Sequence, residues 1–405
     1  MHGWIQAMGM LVAFAGAGIG AAPAVAAEGI AVALTAEATD CGGGPVSVEV
    51  TTKAWRGGKR PPRDAVSTPC QVEELPGGKV RLTFVAGRLR KGERRVVHLV
   101  PATTKGVELR TEGRNLDVLV GGGVFTRYDV TTGPTKPYFY PIKAFGRSMA
   151  RHWPLEDVAG EEKDHPHHRG LWFTHGLVNG VDFWAETGNA HPIGRTVHTG
   201  FSDIVSGPVQ GSFTARTDWT TPEGTVLLRD ERRVAVCPLP SGDILLDFAI
   251  TLRPTAGPVV FGDTKEGTFA IRVPESMKAD KGGTLVNAEG LAGAKLWGKP
   301  SPWNDYHGLV DGETVGIAIF DHPSNPRHPT TWHSRTYGLF AVNPFGWHDF
   351  DPARKGDAHA GDLTLEQGES VSFRYRVYFH RGTTEAADVA GAYAAWANPP
   401  TVRPL

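Results

Sequence analysis

A mainly β fold is predicted for this chain: a large antiparallel β-sandwich, preceded by a small N-terminal β-sandwich and closed by a C-terminal helix. Three observations predict it. Apolar residues recur at every second position over long stretches, the turns between them draw on 51 glycines and 30 prolines, and helical periodicity is convincing in one place only. Strands that follow one another without alternating helices suit a sandwich rather than a doubly wound sheet or an α/β barrel. At 405 residues the chain has room for more than one domain.

Residues 1–26 contain no Lys, Arg, Asp or Glu, and an apolar run from Met8 to Ala22 leads into the small-x-small pattern Ala24-Val25-Ala26. This segment reads as a signal peptide, which predicts a periplasmic or extracellular protein. Residues 28–105 are predicted to form the accessory β-sandwich, from short strands such as Val80 to Val85 set between turns rich in Gly, Pro and Arg. Cys41 and Cys70 fall within it and could pair, whereas Cys237, inside an apolar run, reads as a buried thiol. Residues 106–405 carry the larger sandwich. In Ile244 to Leu252 and in Val371 to Phe379 apolar and polar positions alternate, as in half-buried antiparallel strands. Further strands are predicted at Leu116 to Val120, Val226 to Val236, Thr268 to Val273 and Thr314 to Phe320. The closing helix is predicted over Thr384 to Ala397, with Thr384 as N-cap and Val389, Tyr393 and Trp396 on one face.

Composition excludes several classes. A formal net charge of −1 without a long basic tract gives no field for nucleic acid. After the first segment no stretch approaches the roughly 18 apolar residues of a membrane helix. Neither a dinucleotide fingerprint, a Walker loop nor a G-x-S-x-G elbow appears in a supporting context.

The chemistry concentrates in two places. The segment Asp164-His165-Pro166-His167-His168-Arg169-Gly170-Leu171-Trp172-Phe173-Thr174-His175 packs four imidazoles, an arginine and large aromatics together. Imidazole is suited to proton transfer or metal ligation near neutral pH, and an indole offers an apolar wall to a sugar. A second cluster, Asp321-His322-Pro323-Ser324-Asn325-Pro326-Arg327-His328-Pro329-Thr330-Thr331-Trp332-His333, has the same character. The two are expected to meet in one polar, aromatic-walled site. Val178-Asn179-Gly180-Val181 signals a two-residue hairpin after the first cluster. Because Pro166 favours an extended His165, His165 and His167 are expected on one face and His168 on the other.

These motifs, together with Asp182-Phe183-Trp184 and Asp263-x-Lys265-Glu266-Gly267, resemble the bacterial family labelled "methane oxygenase PmoA-like" over approximately residues 110 to 382. The resemblance implies an exported protein of carbohydrate-degrading bacteria, with a sandwich fold similar to sugar epimerases and some polysaccharide lyases. A methane monooxygenase chemistry would need membrane spans that the chain lacks.

The expected function is acid–base catalysis on a sugar or polysaccharide, by an epimerase, lyase or hydrolase. The catalytic candidates are His167, His168, His175, Glu266 and His333. The expected substrate-binding residues are Arg169, Trp172, Asn179, Asp182, Trp184, Trp303, Asp305, Asn325, Arg327 and His328. For a lyase, Arg169 or Arg327 would neutralise a uronate carboxylate, and Tyr306 or Tyr337 could join a histidine as base. For a hydrolase the carboxylate candidates are Glu266, Asp305, Asp164 and Asp321. No cofactor is strongly implied. A rival reading from another class is a divalent metal held by His165 and His167 with His328 or His333; a second is a non-catalytic carbohydrate-binding module that stacks sugars on its tryptophans.

Overall fold

The computed structural model describes residues 29–41, 43–57, 65–187 and 190–405; the expected signal segment lies outside them. The protein is mainly β. A nine-stranded sheet and an eight-stranded sheet, both antiparallel, pack face to face, and a six-stranded sheet lies at the N-terminal side. Alternation decides which side chains enter the sandwich. From the strand Ile244–Pro254, Ile244, Leu246, Phe248, Ile250 and Leu252 join one core with Phe373, Tyr375, Val377 and Phe379 of the neighbouring strand Val371–Arg381. Each such buried apolar side chain contributes about 1.5–3 kcal/mol of transfer free energy, which is what holds the two sheets in register.

The outward face of the eight-stranded sheet is also covered. Cys237, Leu245, Trp303, Phe320 and Tyr378 pack there against Val389, Tyr393 and Trp396 of the closing helix. That helix spans Val389–Ala397, shorter than predicted. Thr384 does not cap it, because its hydroxyl donates instead to the buried carboxylate of Asp305 at 2.5 Å. After the helix, the strand Thr401–Pro404 pairs antiparallel with the first strand, Ile30–Thr35, so the end of the chain completes the N-terminal sheet. Cys41, Cys70 and Cys237 are all buried free thiols, and the pairing considered for Cys41 and Cys70 is not made. Among the described residues no helix is long and apolar enough to cross a membrane.

The face of the nine-stranded sheet that points away from the sandwich core positions the site. One row of directly opposed residues crosses it: Tyr138, Trp172, Ala270, Ala341 and His333, on five successive strands. Opposed residues in antiparallel pairs share a face. The two alanines leave space between the bulky Trp172 at one end and His333 at the other.

Candidate active site

A pocket of about 530 Å³ opens over this face, lined by His165, His167, His168, Asp182, Trp184, Glu266 and His333, with Lys265, Arg335 and Tyr337 also on its wall. The two histidine-rich segments therefore meet, through His333. What brings three imidazoles of the first segment together is a turn rather than a strand. His165 adopts a left-handed conformation (φ 43°) and its carbonyl accepts from the His168 amide at 3.0 Å. The expectation that His168 would point away from His165 and His167 is thereby corrected. The His165 ring stacks on His168 with centroids 4.8 Å apart, and His167 meets His168 edge-on at 4.5 Å.

His168 is the centre of this arrangement. Its other neighbours are Trp172, stacked at 5.3 Å, and Trp184, edge-on at 5.8 Å. The Arg272 guanidinium donates to His168 Nδ1 at 3.2 Å, and since arginine has no acceptor the His168 proton must sit on Nε2. That N–H is buried without a protein partner. Burial, His167 and Arg272 push the His168 pKa well below the ordinary histidine range, so the ring is a neutral, fixed donor.

Arg272 is itself fully buried and binds both oxygens of Asp164, each at 2.9 Å. Asp164 also contacts Arg151 and accepts from His165 Nδ1 at 2.5 Å. Burial raises the Asp164 carboxyl, but His165, Arg272 and Arg151 outweigh it and hold the group well below the usual carboxylate range. Two buried guanidiniums without a counter-charge would be costly, so this carboxylate keeps the base of the turn together.

Across the pocket, His333 Nδ1 donates to the Lys265 carbonyl at 2.8 Å, which leaves Nε2 with a free lone pair. Burial lowers its pKa to about 3. The next residue after Lys265 is Glu266, whose carboxyl is pushed above the ordinary 4.5 by burial, with the Lys265 charge opposing. One backbone segment thus carries the carboxyl and anchors the imidazole. His167 is a third neutral ring: burial, then Lys136 and His165, lower its pKa to about 3. Asp182 Oδ1 accepts from the amides of Trp184 and Ala185, at 2.7 and 3.0 Å, and so fixes the Trp184 wall.

Several expected site residues lie elsewhere. His175 alternates with Trp172 and so faces the sandwich interior; its Nε2 donates to the Gly262 carbonyl at 2.7 Å, and its ring packs on Phe345. Asn179 occupies the predicted hairpin turn, with φ 50°, and ties it to Pro258 and Val260. Trp303 and Asp305 belong to the far side of the molecule, where Asp305 binds His380 at 3.0 Å. Asn325 and His328 both hold Asp321, at 2.7 Å each, which shapes their loop. Arg327 and His328 line a separate pocket. Arg169 does not line the histidine pocket either; it forms a two-pronged pair with Glu186, which also meets the buried Lys136 at 3.3 Å and braces the loop that carries Trp184. Trp172 backs His168 instead of lining the cavity.

Sequence reasoning missed Arg272, Arg151, Lys136, Glu186 and Arg335. One had a legible signal: Arg272 ends the apolar run Thr268–Phe269–Ala270–Ile271, and a charge inside a buried strand needs a partner. The others sit in loops or strands that pattern alone does not mark. Among the described residues no three His, Cys, Asp or Glu side chains are grouped so as to hold a metal ion. His165 and His328, two of the proposed ligands, each spend Nδ1 on an aspartate.

Fold and site together define a β-sandwich protein with a pocket of neutral imidazoles on the outer face of its larger sheet. The chain belongs to a family of unknown function, DUF6807, whose model matches residues 115–394. This corrects the resemblance to a PmoA-like methane oxygenase family, because the motifs on which it was drawn fall within a different family. No curated protein matches the chain. Among solved structures, an alpha-mannosidase from Enterococcus faecalis V583 is similar at 10% identity and a TM-score of 0.42, over 93% of this chain and 46% of its own. A protein in glycosyl hydrolase family 38 from Enterococcus faecalis is similar at 11% identity and a TM-score of 0.39, over 93% of this chain and 47% of its own. The chain spans a little under half the length of these two structures.

Proposed function

We propose that the histidine pocket is the centre of an acid–base enzyme that transfers protons at a carbon of a sugar ring, as an epimerase or a lyase does. The observation that carries this reading is the pairing of His333 and Glu266. A neutral imidazole with a bare nitrogen and a carboxyl whose hold on its proton is strengthened by burial, against the Lys265 ammonium 3.7 Å away, line one cavity and can exchange protons with one bound ring. His333 Nε2 takes the proton from the ring carbon. In a lyase Glu266 gives a proton to the leaving oxygen as the C–O bond breaks and a C=C bond forms; in an epimerase it reprotonates the carbanion from the opposite side. His168, fixed and neutral, backs His165 and His167 and so sets the position of their rings at the cavity. Tyr337, half-buried on the same wall, supplies an apolar surface for the ring.

The test is a screen of sugars, uronates and glycans in deuterated water, following deuterium incorporation and product by NMR. Turnover that drops 10²- to 10⁴-fold in His333→Ala and Glu266→Gln, with ligand affinity retained, is the expected outcome. Binding without turnover, unaltered in both variants, would refute catalysis in favour of a binding module.

A further inference from the structure

The pocket that holds Arg327 and His328, about 460 Å³ in volume, lies next to the histidine pocket, because side chains that line the two pack on one another. Phe350 lines it and packs against His333 at 6.2 Å. Trp297 packs edge-on against Phe350 at 5.2 Å, while Arg335 of the histidine pocket lies over the Trp297 ring at 5.8 Å. Phe350 and the half-buried indole of Trp297 thus form the ridge between the two cavities. Both volumes fall in the ordinary small-ligand range of roughly 300–1,000 Å³.

The second pocket is cationic. Lys299, Arg327 and Arg354 line it against one carboxylate, Asp351, which pairs with Arg354 at 3.3 Å. Arg327 donates only to carbonyls, those of Pro344, Gly361 and Asp362, at 2.5–2.9 Å, so no carboxylate is spent on neutralising it by a direct bond. It stacks 4.3 Å from the Trp347 centroid, and Arg354 lies over the same ring at 4.2 Å. Two guanidiniums held at one indole are placed to meet an anion rather than a neutral sugar. On the histidine side of the ridge Lys265 is paired with Glu266 at 3.7 Å, and Arg335, over the Trp297 ring, is the cation nearest the crossing.

We infer that the two pockets are adjoining subsites for an acidic oligosaccharide: one sugar unit in the histidine pocket, the chain crossing Trp297, and a neighbouring carboxylate-bearing unit among Lys299, Arg327 and Arg354. This rests on the histidine pocket being a sugar site. Calorimetry with galacturonate monomer and hexamer, and with a neutral galactose hexamer, tests it on wild type and on a Lys299→Glu, Arg354→Glu double variant. Both side chains lie at the surface, and circular dichroism verifies that the variant folds. The expected result is a hexamer at least tenfold tighter than the monomer in wild type, a loss of that gain in the variant, and no gain for the neutral hexamer. A hexamer no tighter than the monomer, a gain that survives charge reversal, or an equal gain for the neutral chain overturns the inference. If the charge-dependent gain is present but no glycan is converted, the subsites stand and the catalytic reading falls. If short uronates are converted without any gain with length, catalysis stands and the subsites fall.

Discussion

Burial moves the proton affinities of His333 and Glu266 in opposite directions, because it penalises whichever form is charged. For the imidazole that form is the cation, so the ring stays neutral down to about pH 3. For the carboxyl it is the anion, so the proton is retained above 4.5. A Glu266 that acts as acid is competent below its own pKa and loses activity as pH rises through it; His333 as base loses activity only as pH falls towards about 3. kcat/KM should therefore fall on the alkaline side as Glu266 ionises, so that Glu266 is responsible for the alkaline limb. In Glu266→Gln, the residual rate should lose that limb, which a pH–rate profile of wild type and variant would reveal. An alkaline limb that persists in the variant would assign the acid to another group.

At the scale of elements, the site depends on how tightly the His165–His168 turn is joined to the strand Leu171–His175. Gly170 makes the joint with φ 51°, and a Cβ there would lie 2.0 Å from the Phe139 carbonyl. Gly180 of the hairpin also has positive φ, 78°, yet a Cβ there meets nothing within 4 Å. Gly170→Ala should thus destabilise the protein by about 2–3 kcal/mol and disturb the pocket, whereas Gly180→Ala should cost about 1 kcal/mol. Urea unfolding of the two variants measures the difference; equal losses would mean that the close approach at Gly170 relaxes freely. The hairpin and the alternating strands were legible because they obey local rules, a turn that demands positive φ and a face that demands apolar residues. The three-histidine turn was not, since Pro166 favours an extended His165, and it is held otherwise by contacts with Asp164, Arg151 and the His168 amide.

Over the whole molecule, acid should be the weak side of stability. His175, His198 and His333 are buried with pKa values lowered, chiefly by burial, to about 4, 4 and 3. The unfolded chain takes up protons at these rings from about pH 6.5 downward, while the folded chain does not, so stability falls as pH falls through that window. These three rings alone lower it by about 4 kcal/mol per pH unit between roughly pH 6 and pH 4.5, and His167, His168 and His322 add to the decline in the same sense. His380 acts in the opposite sense: although burial lowers its pKa, Asp305 raises it above 6.5, and the stability it contributes is lost as pH rises. Urea denaturation across this range should show the decline, and a flat profile would mean that the three rings protonate without unfolding.

The sequence by itself determined the β class, several strands such as Ile244–Pro254 and Val371–Arg381, and the Asn179–Gly180 turn, because periodicity and turn chemistry act between near neighbours. It also singled out His167, His168, Glu266, His333, Asp182 and Trp184, which line one pocket, since clustered imidazoles and aromatics are uncommon in solvated loops. Tertiary structure alone decided that His175, two residues beyond Phe173 on the core face, is shut inside the sandwich, and that Arg327 and His328 face a second cavity. It alone placed Arg272 behind His168. The reason is physical: a row of side chains across five strands is set by the register of segments as far apart as Tyr138 and His333, and no local pattern encodes which strands become neighbours.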